Sequence, residues 1–170
     1  MPGSGWQRAW VRAATTLLVL GVMTMIFCFS TEDAEHSDRT SGFLSRAVIS
    51  VIHPGYGKYG PERQKAVYDE VQYIVRKAAH FCEYLLLGLA LRLWTESWLG
   101  GKNLKERGRA AVSFGAGALY AGTDELHQLM IDGRSGQWTD VLWDSCGVAA
   151  GVMAGLLLIR LAGRRRKTGR

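Results

Sequence analysis

Side chains able to do chemistry concentrate in Tyr120–Asp144, YAGTDELHQLMIDGRSGQWTDVLWD, where Asp124, Glu125, His127, Gln128, Arg134, Asp140 and Asp144 stand among residues typical of a membrane span. A second group lies upstream in Arg76–Tyr84, RKAAHFCEY, with Lys77, His80, Glu83 and Tyr84. An ionisable group near a bilayer centre costs roughly 2.5–3.5 kcal/mol on insertion scales, so such groups face a bundle interior, pair with one another or mark a functional site. Several chemistries are open to this set. His80 titrates near neutrality and suits a general base, with Glu83 or Asp124 to orient it. Arg134 has the planar fork that grips a phosphate or carboxylate in two places. Lys77, Tyr84, Glu125, Gln128, Asp140 and Asp144 supply further charges and hydrogen-bonding groups for a ligand. His80 with Glu83, and Asp124 with His127, are i,i+3 pairs reminiscent of carboxylate–histidine metal ligation in helical bundles, although their order matches no known metal spacing. The same charges could instead form a closed ion-pair network that only fixes helix register.

The elements that must position these groups are apolar blocks. Segments near residues 10–30, 73–94, 110–130 and 138–162 are each close to the ~20 residues that an α-helix needs to cross about 30 Å of hydrocarbon. The sequence therefore predicts an all-α fold, a polytopic membrane bundle of four transmembrane helices forming one domain over residues 1–170. Arg8 and Arg12 ahead of an apolar run resemble a signal peptide, but no small-residue cleavage site follows and the segment reads as a retained span. Cys28, Cys82 and Cys146 fall in three different spans, an odd count without framework spacing, and read as packing residues.

Basic residues set the expected orientation. Residues 95–109 carry four basic against two acidic residues, and 160–170 six basic and none acidic, whereas 31–70 carry seven acidic against five basic. Both termini, with the tail 163–170, are therefore expected in the cytoplasm and the 31–72 connection outside. That threading brings both polar groups to the outer half of the membrane. At about 100° per residue Lys77, His80 and Tyr84 share a face with Glu83 at its edge, and Tyr120, Asp124 and Gln128 share another. Asp140, Asp144, Gly147, Gly151 and Gly155 trace one stripe, polar above and glycine below, and small residues at this spacing let helices approach closely. In the outer connection Phe43, Leu44, Ala47, Val48 and Val51 recur at helical spacing, which predicts an amphipathic segment on the outer interface between the first and second spans. His53–Gly57 breaks it, and Pro61 starts a helical stretch that leads into the second span. Trp138 and Trp143 fit interfacial anchors. The basic tail fits a topology determinant that touches anionic lipid, not a nucleic-acid surface.

RKAAHFCEYLLLG, DELHQ and DGRSGQWTDVLWDSCG, with the Ser-rich FSTEDAEHSDRTSG after the first span, resemble the characteristic segments of the VanZ-like family of small bacterial membrane proteins. The similarity runs in order from about Phe27 to Gly155. The resemblance carries over Lys77, His80, Glu83, Tyr84, Asp124, Glu125, Gln128, Gly133, Arg134, Asp140 and the Asp144 position. Two departures stand out: Asp132 replaces a common Pro, and Asp144 a common Asn. The family implies a place in the cell membrane and, for its founding member, lowered sensitivity to teicoplanin. With the residues, it leaves three functional readings: a protein acting on glycopeptide susceptibility or envelope lipid handling, with a membrane lipid or lipid-linked cell-wall precursor as partner; an enzyme using His80 with a carboxylate on a lipid-linked head group; or a structural protein whose polar cluster only holds the helices.

Overall fold

The computed structural model describes residues 5–31, 34–131 and 137–168. Within them the chain forms five α-helices joined by short connections: α1 Gly5–Ser30, α2 Ala34–Ile52, α3 Pro61–Leu99, α4 Glu106–Gln128 and α5 Trp138–Thr168, with a single 3₁₀ turn at Tyr56–Lys58. No strand occurs among the described residues. Two of the helices, α1 and α5, are long and apolar enough to cross a membrane.

The helix starts follow local chemistry. Gly60 is extended and Pro61 opens α3, where its fixed φ suits the first turn and its missing N–H is not needed. Glu62, Glu106 and Asp140 place carboxylates in the first turns of α3, α4 and α5, where the helix dipole favours negative charge. The helical stretch expected from Pro61 is continuous with the apolar segment 73–94, so α3 runs for 39 residues. At 1.5 Å per residue that is roughly 60 Å, about twice a hydrocarbon core, so one portion must project beyond any membrane. The helix that holds the apolar repeat of residues 43–51 begins earlier than that repeat, at Ala34. It buries Ile49 against Val71 and Val75 in the first half of α3. Ser45 Oγ donates to the Gln72 side-chain oxygen, and Gln72 Nε2 donates to Ser41 Oγ at 2.6 Å.

The main contact is α3 against α5, and glycine makes it possible. A Cβ on Gly147 would stand 2.6 Å from the Phe81 carbonyl oxygen, one on Gly151 2.7 Å from the Leu89 nitrogen, and one on Gly155 2.9 Å from Arg92 Cβ. The glycine stripe of α5 is thus the surface on which α3 lies. Val148 fills the centre: a Cβ on Gly117 of α4 would meet its Cγ1 at 2.6 Å, and Gly88 of α3 abuts its carbonyl. Ile26, Tyr84, Leu87, Ala121 and Val152 complete the core around it. Close backbone approach of this kind is how helices associate where surrounding lipid removes the hydrophobic drive. The outward faces are apolar too, with Leu17, Ile74, Leu119, Leu142 and Met153 all exposed.

Candidate functional site

The polar residues of α3, α4 and α5 meet at one end of the bundle. On α4, Tyr120, Asp124 and Gln128 are separated by four residues each and share the face turned to α1. Tyr120 donates its hydroxyl to the Met23 carbonyl at 2.7 Å. Asp124 is 4% exposed, and its Oδ2 accepts from Ser30 Oγ at 2.8 Å and from Gln128 Nε2 at 3.1 Å. The last residue of α1 therefore holds the carboxylate that the α4 spacing delivers. Glu125, one residue on, points toward the start of α5, where its Oε2 accepts the Gln137 N–H at 2.9 Å.

From the opposite side α3 contributes Lys77 and Tyr84. Lys77 Nζ pairs with Asp140 Oδ1 and lies 5.2 Å from the centre of the Tyr73 ring. Trp143 fixes the register of the two helices by donating its indole N–H to the Lys77 carbonyl at 2.9 Å. One turn below Asp140, Asp144 is 1% exposed. Asp124, Glu125, Asp140 and Lys77 all act on it electrostatically, and Asp124 and Asp144 both act on the Tyr84 hydroxyl. Among the described residues Asp144 Oδ2 and Glu125 Oε1 have no hydrogen-bond partner. Leaving such an atom buried and unsatisfied costs about 1–3 kcal/mol.

Beside this cluster a cleft of about 390 Å³ opens between α3 and α5. Tyr73, Ile74, Ala78 and Trp143 wall it, and Lys77, Thr139 and Asp140 stand in it. A smaller cavity of about 70 Å³ touches Glu125, Gln137 and Trp138. The arrangement offers an ammonium, several carboxylate oxygens and hydroxyls at the edge of an apolar slot, a set that can bind a polar head group whose tail remains in an apolar phase.

A family model described as VanZ/LLP1 matches residues 15–160. The chain belongs to the VanZ/LLP1 family. The match begins inside α1 and ends near the close of α5, so it takes in the whole polar cluster of this VanZ/LLP1 protein. No curated protein and no solved structure matches the chain.

The structure thus brings together Lys77, Tyr84, Asp124, Glu125, Gln128, Asp140 and Asp144. His80 and Glu83 lie half-buried on the same helix as Lys77 and are engaged with other groups. His127 turns aside and stacks on Phe27 with ring centres 4.9 Å apart. Gly133 and Arg134 lie outside the described residues. No group of three or more His, Cys, Asp or Glu among the described residues could hold a metal ion, so His80, Glu83, Asp124 and His127 do not assemble there into a ligand set.

Sequence reasoning missed Ser30 and Gln137, both set by their neighbours across a helix interface. Ser30 does lie in the Ser-rich segment at the end of the first apolar run, which was the available signal. It also missed Arg92, 0% exposed within the run LLLGLALRLW. Arg92 Nη1 donates to Glu96 Oε2 at 2.9 Å, Arg109 Nε reaches the same oxygen at 3.1 Å, and Thr95 and Ser113 share a hydrogen bond of 2.8 Å beside them. A lone arginine inside an apolar run is itself a signal of this kind.

Proposed function

We propose that this VanZ/LLP1 protein is a single-domain integral membrane protein that engages the head group of an envelope lipid or lipid-linked cell-wall precursor in the outer half of the bilayer. In doing so it alters susceptibility to teicoplanin-type glycopeptides. In this reading α1, the second half of α3, α4 and α5 all span the membrane, both termini face the cytoplasm, and α2 with the start of α3 lies outside. The apolar exterior of α3 and α4, with Ile74, Leu86, Phe114 and Leu119 exposed, supports four spans. The basic loop 95–109 and tail support the orientation.

The observation that carries the proposal is the juxtaposition of the buried Asp144 and Glu125, each with an unsatisfied oxygen, and the Lys77–Asp140 pair that lines the cleft. Lys77 would meet a head-group phosphate and the carboxylates its hydroxyl or amino donors, while the lipid tail leaves between Tyr73, Ile74 and Trp143. His80 and Glu83 stand beside the cluster on α3, and Arg134 lies in the sequence between α4 and α5.

The test is teicoplanin susceptibility of a sensitive Gram-positive host expressing wild type, Lys77→Gln or His80→Ala at matched membrane-inserted amounts. Protection by wild type and its loss in both variants is the expected result. Equal protection by all three would leave the cluster a packing device. A reporter active only in the cytoplasm, fused after Arg170, should light up; silence in a membrane-inserted protein would contradict the orientation.

A further inference from the structure

At the other end of the bundle, where α1 begins and α5 ends, a groove of about 1160 Å³ runs between α1, α3 and α5. Its walls are Trp6, Trp10, Leu93 and Ile159, with Arg8 and Glu96 as its charged residues. The two tryptophans meet edge to face with ring centres 5.5 Å apart, and both are more than half exposed.

The charge along this groove is one-sided. Glu96 is its one carboxylate among the lining residues, and it is taken up by Arg92 and Arg109 through a single oxygen. Arg92 still has Nε and Nη2 buried without a described partner, which leaves net positive potential behind Glu96. At the groove's edge Arg12 sits 5.1 Å over the Trp98 ring and donates its Nε–H to the Ser97 carbonyl at 3.2 Å. Among the described residues no carboxylate pairs with Arg8 or Arg12.

We propose that this groove is a specific site for one acidic phospholipid of the leaflet that faces the two termini, separate from the cluster at the opposite end. The phosphate sits between Arg8 and Arg12, and an acyl chain follows Trp10, Leu93 and Ile159. Each part of the lipid matches a part of the groove. Tryptophan favours the head-group level, and basic side chains near a membrane surface attract anionic lipid. A free phosphate would leave the apolar wall unused, and a zwitterionic lipid would bring its own ammonium against the arginines.

The experiment is native mass spectrometry of the full chain released from neutral detergent after incubation with phosphatidylglycerol, phosphatidylcholine or glycerol phosphate alone. Wild type should retain one phosphatidylglycerol, with little of the other two. The Arg8→Gln/Arg12→Gln double variant should lower that retention roughly tenfold or more, given the attraction per basic group. Ile159→Trp, which narrows the groove and leaves every charge in place, should lower it as well. Equal retention of phosphatidylcholine by wild type would overturn the proposal without recourse to any variant. Unchanged phosphatidylglycerol in both variants would also overturn it, as would glycerol phosphate binding that matches the whole lipid.

Discussion

The two ends of the bundle bury charge in different ways. At the end holding Arg92, the partners are close in sequence or on the adjoining helix: Arg92 with Glu96 one turn on, Thr95 with Ser113, and Arg160 with Glu106 across α4 and α5. At the opposite end the partners come from α1, α3, α4 and α5, with Ser30 reaching Asp124 and Lys77 reaching Asp140. The first end turns mostly on arginines and shared carboxylates. The second carries four carboxylates against one described lysine, and two of them, Glu125 and Asp144, retain an oxygen with no described partner. Both ends keep buried polar atoms without a described partner, Arg92 Nε and Nη2 at the first and Glu125 Oε1 and Asp144 Oδ2 at the second, so the ends differ in the sign of the charge they gather and in how many helices supply it.

The contact that both ends share should show the largest effect when broken. Gly151→Leu drives a side chain into the backbone of α3 and is expected to cost about 3 kcal/mol, lowering the thermal unfolding midpoint and disrupting both ends together. A loss confined to one end, read by hydrogen exchange, would show that α3 and α5 pack independently at the two ends.

Next comes the Lys77–Asp140 pair, whose side chains are 18% and 24% exposed. Lys77→Ala alone should cost about 1–2 kcal/mol, since it leaves Asp140 beside three other carboxylates with some solvent screening. Adding Asp140→Ala should return part of that loss. An additive double mutant, measured by unfolding in micelles, would dissolve the pairing.

A smaller effect separates the ends most sharply. Ser30→Ala and Ser113→Ala each remove a buried hydroxyl and should each cost about 1 kcal/mol of stability. Only Ser30→Ala should reduce protection against teicoplanin, because of the two hydroxyls only that of Ser30 donates to Asp124. Equal functional loss in both would mean that stability, and not the cluster, sets the phenotype.

The smallest effect is a pH dependence at the surface. The hydrogen bond from Arg160 holds the Glu106 carboxyl below its ordinary value, in the first turn of α4 and outside the proposed span. A depressed folded pKa contributes stability that is present above the unfolded value and is lost as pH falls through the folded one. Glu106→Gln should therefore flatten a slight acid-range decline in unfolding midpoint and leave the neutral midpoint nearly unchanged. An unaltered acid slope would remove Glu106 as its source.

Much of this was legible in the sequence because membrane helices carry strong, simple periodicities. The α5 stripe Asp140, Asp144, Gly147, Gly151, Gly155 and the α4 face Tyr120, Asp124, Gln128 follow from spacing alone, and their neighbours behave as that spacing requires. The length of α3 was less legible. Its first two turns, PERQKAVY, are too polar to read as the start of a span, yet nothing between Tyr68 and Tyr73 stops the helix. Which residues meet across helices was not legible at all. Ser30 touching Asp124 depends on the relative heights of α1 and α4, and Arg92 settling beside Glu96 and Arg109 depends on the loop that returns α4 to the same end.

The central claim is that the Lys77–Asp140 cleft, with the carboxylates buried beside it, holds a lipid head group. It is tested most directly by placing a photoreactive side chain at Ile74, on the cleft wall, irradiating intact cells and identifying the adduct by mass spectrometry. The account predicts an envelope-lipid or lipid-linked precursor adduct. That adduct should be lost in an equally abundant Lys77→Gln/Asp124→Asn background and should not form from the same probe at Leu119 on the outer face of α4. The same lipids in the same amounts at Ile74, at Leu119 and in the double variant would contradict it, since the cleft would then be no different from any lipid-facing surface.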